Sequence, residues 1–210
     1  MTTLLLVRHG QSMANQEGFF AGQMDVPLLS HGLRQAEVTA RYLTEHYTIH
    51  KIYASDLQRA FHTALPASKI LGIPVIPEPG LREIYAGAWE GVSFDTLVEK
   101  YPEDYATWRN DIMHAKTDGG ESVRDLSLRI RNTLKKIAEE NPNSTVLIAT
   151  HATPIRAMEA FVEQKPMWQV PWVSNASYSV LTYEDGIWAF PLVSQDAHLQ
   201  ELKTNFGANV

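Results

Sequence analysis

The 210-residue sequence contains no cysteine, which excludes disulfides, thiolate nucleophiles and cysteine-ligated zinc or iron–sulfur centres. Its opening apolar run, Thr2 to Val7, is too short to span a membrane and stops at Arg8. No basic leader precedes that run, so the expectation is a chain without a signal peptide and a cytoplasmic location. Basic residues are in deficit, with 18 Lys and Arg against 24 Asp and Glu and a net charge of −6. That balance argues against a nucleic-acid or acidic-membrane binder, because both depend on cationic surface. With 44% hydrophobic and 20% charged residues the chain suits one globular domain spanning 1–210, with only the last dozen residues expected to lack order.

What is present is a repeated pattern. The run Thr2 to Val7 reads as a strand covered on both faces, and it delivers Arg8-His9-Gly10 at its carboxyl end. A second run, Ser144 to Thr150, ends in the same way at His151. A third, Ile52-Tyr53-Ala54, leads through Ser55-Asp56 to Arg59 in the first turn of a helix. In parallel sheets the crevice beyond the strand ends is where ligands bind. Two arginines, two histidines and the Asn15 amide meeting there would hold a dianion. Taken singly these residues have blander readings: Arg59 as a surface residue paired with Asp56, and Glu83 as a solvated carboxylate.

The stretch Arg8-His9-Gly10-Gln11-Ser12-Met13-Ala14-Asn15 resembles the signature of the histidine phosphatase (phosphoglycerate mutase-like) superfamily. The likeness continues, in the family's order, through Gly22 to Leu29, Gly32 to Ala36, Ser55 to Arg59, Leu81-Arg82-Glu83, Gly120-Glu121-Ser122 and His151. It implies an α/β three-layer sandwich, a mostly parallel sheet with helices on both faces and an inserted helical lid at 85–120. It implies His9 as nucleophile, Glu83 as proton donor, and Arg8, Arg59 and His151 around the phosphoryl group. Ser12, Asn15, Gly22, Gln23 and Ala152 complete the implied substrate contacts. Ser12 stands where many members carry threonine, and Ala152 where glycine is frequent, so the backbone approach is less free at 152. The stretch Arg82 to Gly91 is more similar to the phosphatase branch than to the glycolytic mutases.

Along the chain, Ser30 reads as the cap of a helix with Leu33, Ala36, Ala40 and Leu43 at helical spacing, and His31, His46 and His50 as solvent residues. Val75 to Pro77 suits a sheet edge. From Tyr85 to Gly120 aromatic residues crowd, either as a satellite core or as the lid, with a helix beginning near Ser93. Ser122 and Asp125 form a capping pair for a helix whose basic residues, Arg129 among them, read as a solvated face. Ile155, Met158 and Phe161 face inward in the helix after His151. Glu184-Asp185-Gly186 marks a hairpin, and the loop 166–175 carries Trp168 and Trp172 to the pocket border.

The chemistry that follows is phosphomonoester hydrolysis on a small phosphorylated substrate, without metal or other cofactor. Histidine attacks phosphorus, arginines spread the developing charge and a carboxylic acid protonates the leaving alkoxide. Three readings compete with it: phosphoglycerate mutase-type transfer, a binding module that senses a phosphorylated ligand, and a metal site at His9, His151 and Asp25 or Glu83. The interleaved arginines oppose the last by repelling a cation. Nothing in the sequence sets the oligomeric state, a homodimer being one option.

Overall fold

The computed structural model describes residues 1–110, 112–113 and 115–204. Six strands form one sheet: β1 (Thr2–Arg8), β2 (Lys51–Ala54), β3 (Val75–Pro77), β4 (Thr145–Thr150), β5 (Tyr178–Glu184) and β6 (Ile187–Gln195). Their order is β3-β2-β4-β1-β5-β6. The first four run parallel, whereas β5 pairs antiparallel with β1 and β6 antiparallel with β5. The expected mostly parallel sheet is therefore present, with an antiparallel hairpin at one margin and the proline-flanked β3 at the other.

A short helix, α1 (Met13–Glu17), follows β1, and burial explains the continuous apolar strands. Leu4 and Leu6 of β1 join Val146 and Ile148 of β4 in a core with α6 (Val123–Glu140) and α7 (Ala152–Val162). Leu5 and Val7 point to the other face, where Leu147 and Ala149 pack with α2 (Ser30–His46) and α3 (Gln58–Leu71). Successive residues of β1 and β4 thus serve opposite cores, so alternation in hydrophobicity disappears. Two-sided coverage is what lets the polar residues after each strand be read as strand ends.

Several local expectations shift. The α2 helix begins at Ser30 itself, with Leu29 at the cap position and no side-chain cap. The Ser55 hydroxyl accepts from the Leu57 amide at 3.3 Å and meets His151 at 2.9 Å. His31 is tied down through Nε2 to the Leu202 carbonyl at 3.0 Å, which also anchors part of the stretch expected to lack order; residues 205–210 lie outside the described residues. Phe161 is exposed and lies under the Arg131 guanidinium, 3.7 Å from the ring centroid, rather than facing the core. By contrast Ser122 and Asp125 do close a reciprocal capping box, and Asp185 and Gly186 take the positive φ values of a two-residue hairpin turn.

The 85–120 stretch holds α4 (Phe94–Lys100), capped by Ser93, and α5 (Pro102–Asn110), which hydrophobic spacing did not announce. Its aromatics do form a satellite core, and part of the segment also walls the cleft. Trp89, Leu97 and Ala86 form a small separate core with Phe20, Tyr101, Tyr105 and Trp108, and the same segment walls the main cleft.

Candidate active site

The carboxyl ends of β1 and β4 lie side by side, Arg8 in register with Thr150, so His9 and His151 leave the sheet as neighbours. Their rings stand 5.2 Å apart, centroid to centroid, at 62°. Close crossing of the loop after β1 over the first turn of α2 holds this end in place. A Cβ on Gly10 would lie 2.4 Å from the Gly32 carbonyl oxygen, and one on Gly32 2.1 Å from that of Gln11, so both positions need glycine.

The His9 Nδ1 meets the Gly10 carbonyl at 2.7 Å. A carbonyl only accepts, so in the neutral ring the proton sits on Nδ1 and the lone pair on Nε2. Burial lowers the His9 pKa well below the ordinary value, and the Arg59 and Arg8 charges push the same way. His151, fully buried, is lowered first by burial and then by Arg59, His9 and Arg8. Its Nδ1 is buried without a hydrogen-bond partner among the described residues.

Both arginines are buried, 2% exposed for Arg8 and 1% for Arg59, which disposes of the surface reading of Arg59. Arg59 donates to the carbonyls of Gly22 at 2.7 Å and Met24 at 2.8 Å. Asp56 is taken by Arg82 instead, through two hydrogen bonds. Arg8 donates to the Val173 carbonyl. Burial brings Arg8 down to about 9 and Arg59 to about 10, with the Glu83 carboxylate opposing in each case, so both are cations at neutral pH.

Asn15 has its amide oxygen occupied three times over. It accepts from the Ser12 amide and hydroxyl, each at 3.0 Å, and from Asn175 Nδ2 at 3.2 Å. Its own NH2 is thereby the end left to donate. The Glu83 carboxylate accepts from the Ile84 amide at 2.9 Å and from the Thr153 amide, in the first turn of α7, at 3.3 Å.

These groups open on a cleft of about 710 Å³ lined by Arg8, His9, Ser12, Asn15, Gly22, Arg59, Glu83 and Ala152. Its outer walls come from Phe94, Leu97 and Val98 of α4, Tyr105 and Trp108 of α5, and Trp168 and Trp172. Two of the anticipated residues stand elsewhere: His151 lies behind the surface, and Gln23 does not line the cleft. The Gln23 amide donates to the Glu83 carbonyl at 3.1 Å, and its backbone N–H to Glu90 at 2.7 Å. It braces the Glu83 turn.

Other residues escaped sequence reasoning. Arg129, expected on a solvated face, donates to the carbonyls of Gly80, Arg82 and Glu83 and pairs with Glu121, tying α6 to the Glu83 turn. Asn175, wholly buried, reaches the His9 carbonyl at 2.9 Å as well as Asn15. Only the Gly120-Glu121-Ser122 stretch hinted at the first, and no local signal marks the second.

Among the described residues no group of three or more His, Cys, Asp or Glu side chains is arranged to hold a metal ion. No helix among them is long and apolar enough to cross a membrane. Buried guanidinium groups, a tautomer-fixed imidazole and a nearby carboxylate make this an oxyanion pocket of the phosphate-handling kind.

The chain belongs to the histidine phosphatase superfamily (branch 1), whose family model matches residues 4–196. It is 34% identical to phosphoserine phosphatase 1 of Hydrogenobacter thermophilus over 189 residues, covering 88% of each chain. It is 32% identical to a metal-independent phosphoserine phosphatase of Arabidopsis thaliana over 206 residues, 96% of this chain and 85% of that one. Among solved structures, a mycobacterial glucosyl-3-phosphoglycerate phosphatase in complex with VO3 superposes with a TM-score of 0.84 at 27% identity, covering 92% of this chain and 99% of that one. A phosphatase of this superfamily takes a small phosphorylated substrate.

Proposed function

We propose that the protein hydrolyses a small phosphomonoester through a phosphohistidine on His9, without a metal ion. The observation that carries this reading is the Nδ1 hydrogen bond to Gly10, which leaves Nε2 as a neutral nucleophile in a pocket of fixed positive charge.

The Nε2 lone pair attacks phosphorus and the P–O ester bond breaks. The leaving oxygen takes the electron pair and a proton from Glu83, departing as an alcohol. Arg8, Arg59 and Asn15 hold the equatorial oxygens as charge spreads over them, with His151 packed behind them beside His9. Water then attacks the phosphoryl group, Glu83 accepts its proton, the P–N bond breaks and His9 is restored with inorganic phosphate released. The α4–α5 segment acts as the lid that excludes bulk water from this sequence. The named phosphoserine phosphatase relatives support a small metabolite as substrate and, in one case, metal independence.

The test is a panel of phosphomonoesters assayed with chelator, alongside alkaline-quench labelling of the enzyme with a 32P-monoester. Expected are chelator-resistant turnover and an acid-labile, base-stable phosphoryl adduct that His9→Ala abolishes. Chelator-sensitive turnover, or turnover surviving His9→Ala, overturns the mechanism. Binding without hydrolysis would favour a sensing module, and isomer formation from 3-phosphoglycerate with 2,3-bisphosphoglycerate a mutase.

A further inference from the structure

The cleft holds a third guanidinium that phosphoryl transfer does not use. Arg156, one turn into α7 beyond Ala152 and Thr153, lines the same cavity as Arg8 and Glu83. Its Nη2 donates to the carbonyls of Met167 at 3.2 Å and Val170 at 3.1 Å, which fix the head in place. The Nε is buried without a partner, and the side chain forms no ion pair with the described residues. Glu159, one turn further on in the same helix, and Glu83, which lines the same cleft, favour the charge electrostatically, but burial outweighs both and lowers the Arg156 pKa. Removing a cation from water without a matching anion is unfavourable, so the arrangement is short of one negative group.

Its position says where that group belongs. The Arg156 guanidinium carbon lies 5.2 Å from the centroid of the Trp172 ring, and that of Arg8 lies 5.3 Å from the same centroid. One indole therefore meets both the phosphoryl arginine and the third arginine, which keeps the two guanidinium groups no further apart than those two distances together. The cleft also has room well beyond a phosphoryl group.

We propose that Arg156, seated beside Trp172, is a second anion subsite that reads a negative group a few bonds from the ester oxygen. The substrate class is a short phosphorylated acid or a bisphosphate, as opposed to a phosphomonoester whose alcohol portion is neutral or cationic. The proposal rests on the phosphatase reading above and adds a specificity residue to it.

The experiment compares matched esters: phosphoserine with phosphoethanolamine, 3-phosphoglycerate with glycerol 3-phosphate, and fructose 1,6-bisphosphate with fructose 6-phosphate. Wild-type kcat/KM is expected to favour the doubly anionic member of at least one pair tenfold or more. The first two pairs report a carboxylate and the third a phosphate. Arg156→Gln should erase most of that preference, chiefly through KM, while Arg156→Lys, which keeps the charge, retains part of it. Equal losses on both members of every pair, in a variant whose Tm matches wild type, would reduce Arg156 to a structural role and overturn the proposal. If wild type hydrolyses p-nitrophenyl phosphate but treats all pairs alike, the subsite is refuted and the phosphatase reading stands. Absence of turnover on every ester removes both.

Discussion

Lowering the pH should destabilise the fold chiefly through His9 and His151. Both rings are buried, and their pKa values sit well below the ordinary 6.5 because burial and the neighbouring arginines disfavour a second positive charge. The unfolded chain binds protons at these histidines near pH 6.5, whereas the folded one does not. Stability from this source is therefore complete above that pH and is lost as pH falls below it. Between pH 7 and 5.5 each ring that stays neutral contributes a loss of about 1.2 kcal/mol, or roughly 2.5 kcal/mol for the pair. His198 is shifted in the same direction by burial and adds to the slope. Urea unfolding at a series of pH values measures this directly. His9→Asn and His151→Asn should each remove about one unit of proton uptake from the pH dependence, whatever they do to stability at pH 8. Inorganic phosphate should flatten the wild-type slope, because a bound anion favours the imidazolium at His151. A double variant with an unchanged slope would refute the claim that these rings are held neutral.

Replacing Arg59 by Met should lower kcat/KM by about 10²- to 10³-fold, in line with loss of a major oxyanion donor, and should also destabilise the fold by leaving the Gly22 and Met24 carbonyls unpaired; steady-state kinetics and thermal melts read the two effects. Asn175→Ala should reduce kcat more than it raises KM, since it frees the His9 carbonyl and the Asn15 amide without touching the cleft surface, at a cost of roughly 1–3 kcal/mol by denaturant titration. Arg129→Ala should depress turnover with Glu83 intact, because the carbonyls of residues 80, 82 and 83 lose their shared donor; hydrogen exchange should rise at the Ile84 amide, and unchanged exchange would contradict the bracing role.

What was legible in the sequence, and what was not, follows from the range of each interaction. Strands β1 and β4 could be read because two-sided burial produces an unbroken apolar run and the active-site cluster begins where the run stops. The α6 cap and the β5–β6 turn were equally local, resting on Ser122 with Asp125 and on Asp185-Gly186. Helix α5 brings only Tyr105 and Trp108 to the interior, the latter shared between the main core and the small cluster around Trp89, so periodicity had little to detect. Ser55, Arg129 and Asn175 act on partners 96, 46 and 166 positions away. Their side chains carry no mark of that role until the chain is folded, and a serine after a strand or an arginine on an amphipathic helix reads as ordinary.

The central place of β1 has a temporal consequence for synthesis. This strand leaves the ribosome well before its two sheet neighbours, β4 and β5, which lie some 140 or more residues downstream. A nascent chain lacking them has an apolar ribbon with both edges open, a state prone to wrong pairings and dependent on slow, long-distance closure. Until β4 docks, the imidazole at position 9 has no companion at 151, so the paired histidines at the cleft floor come together late.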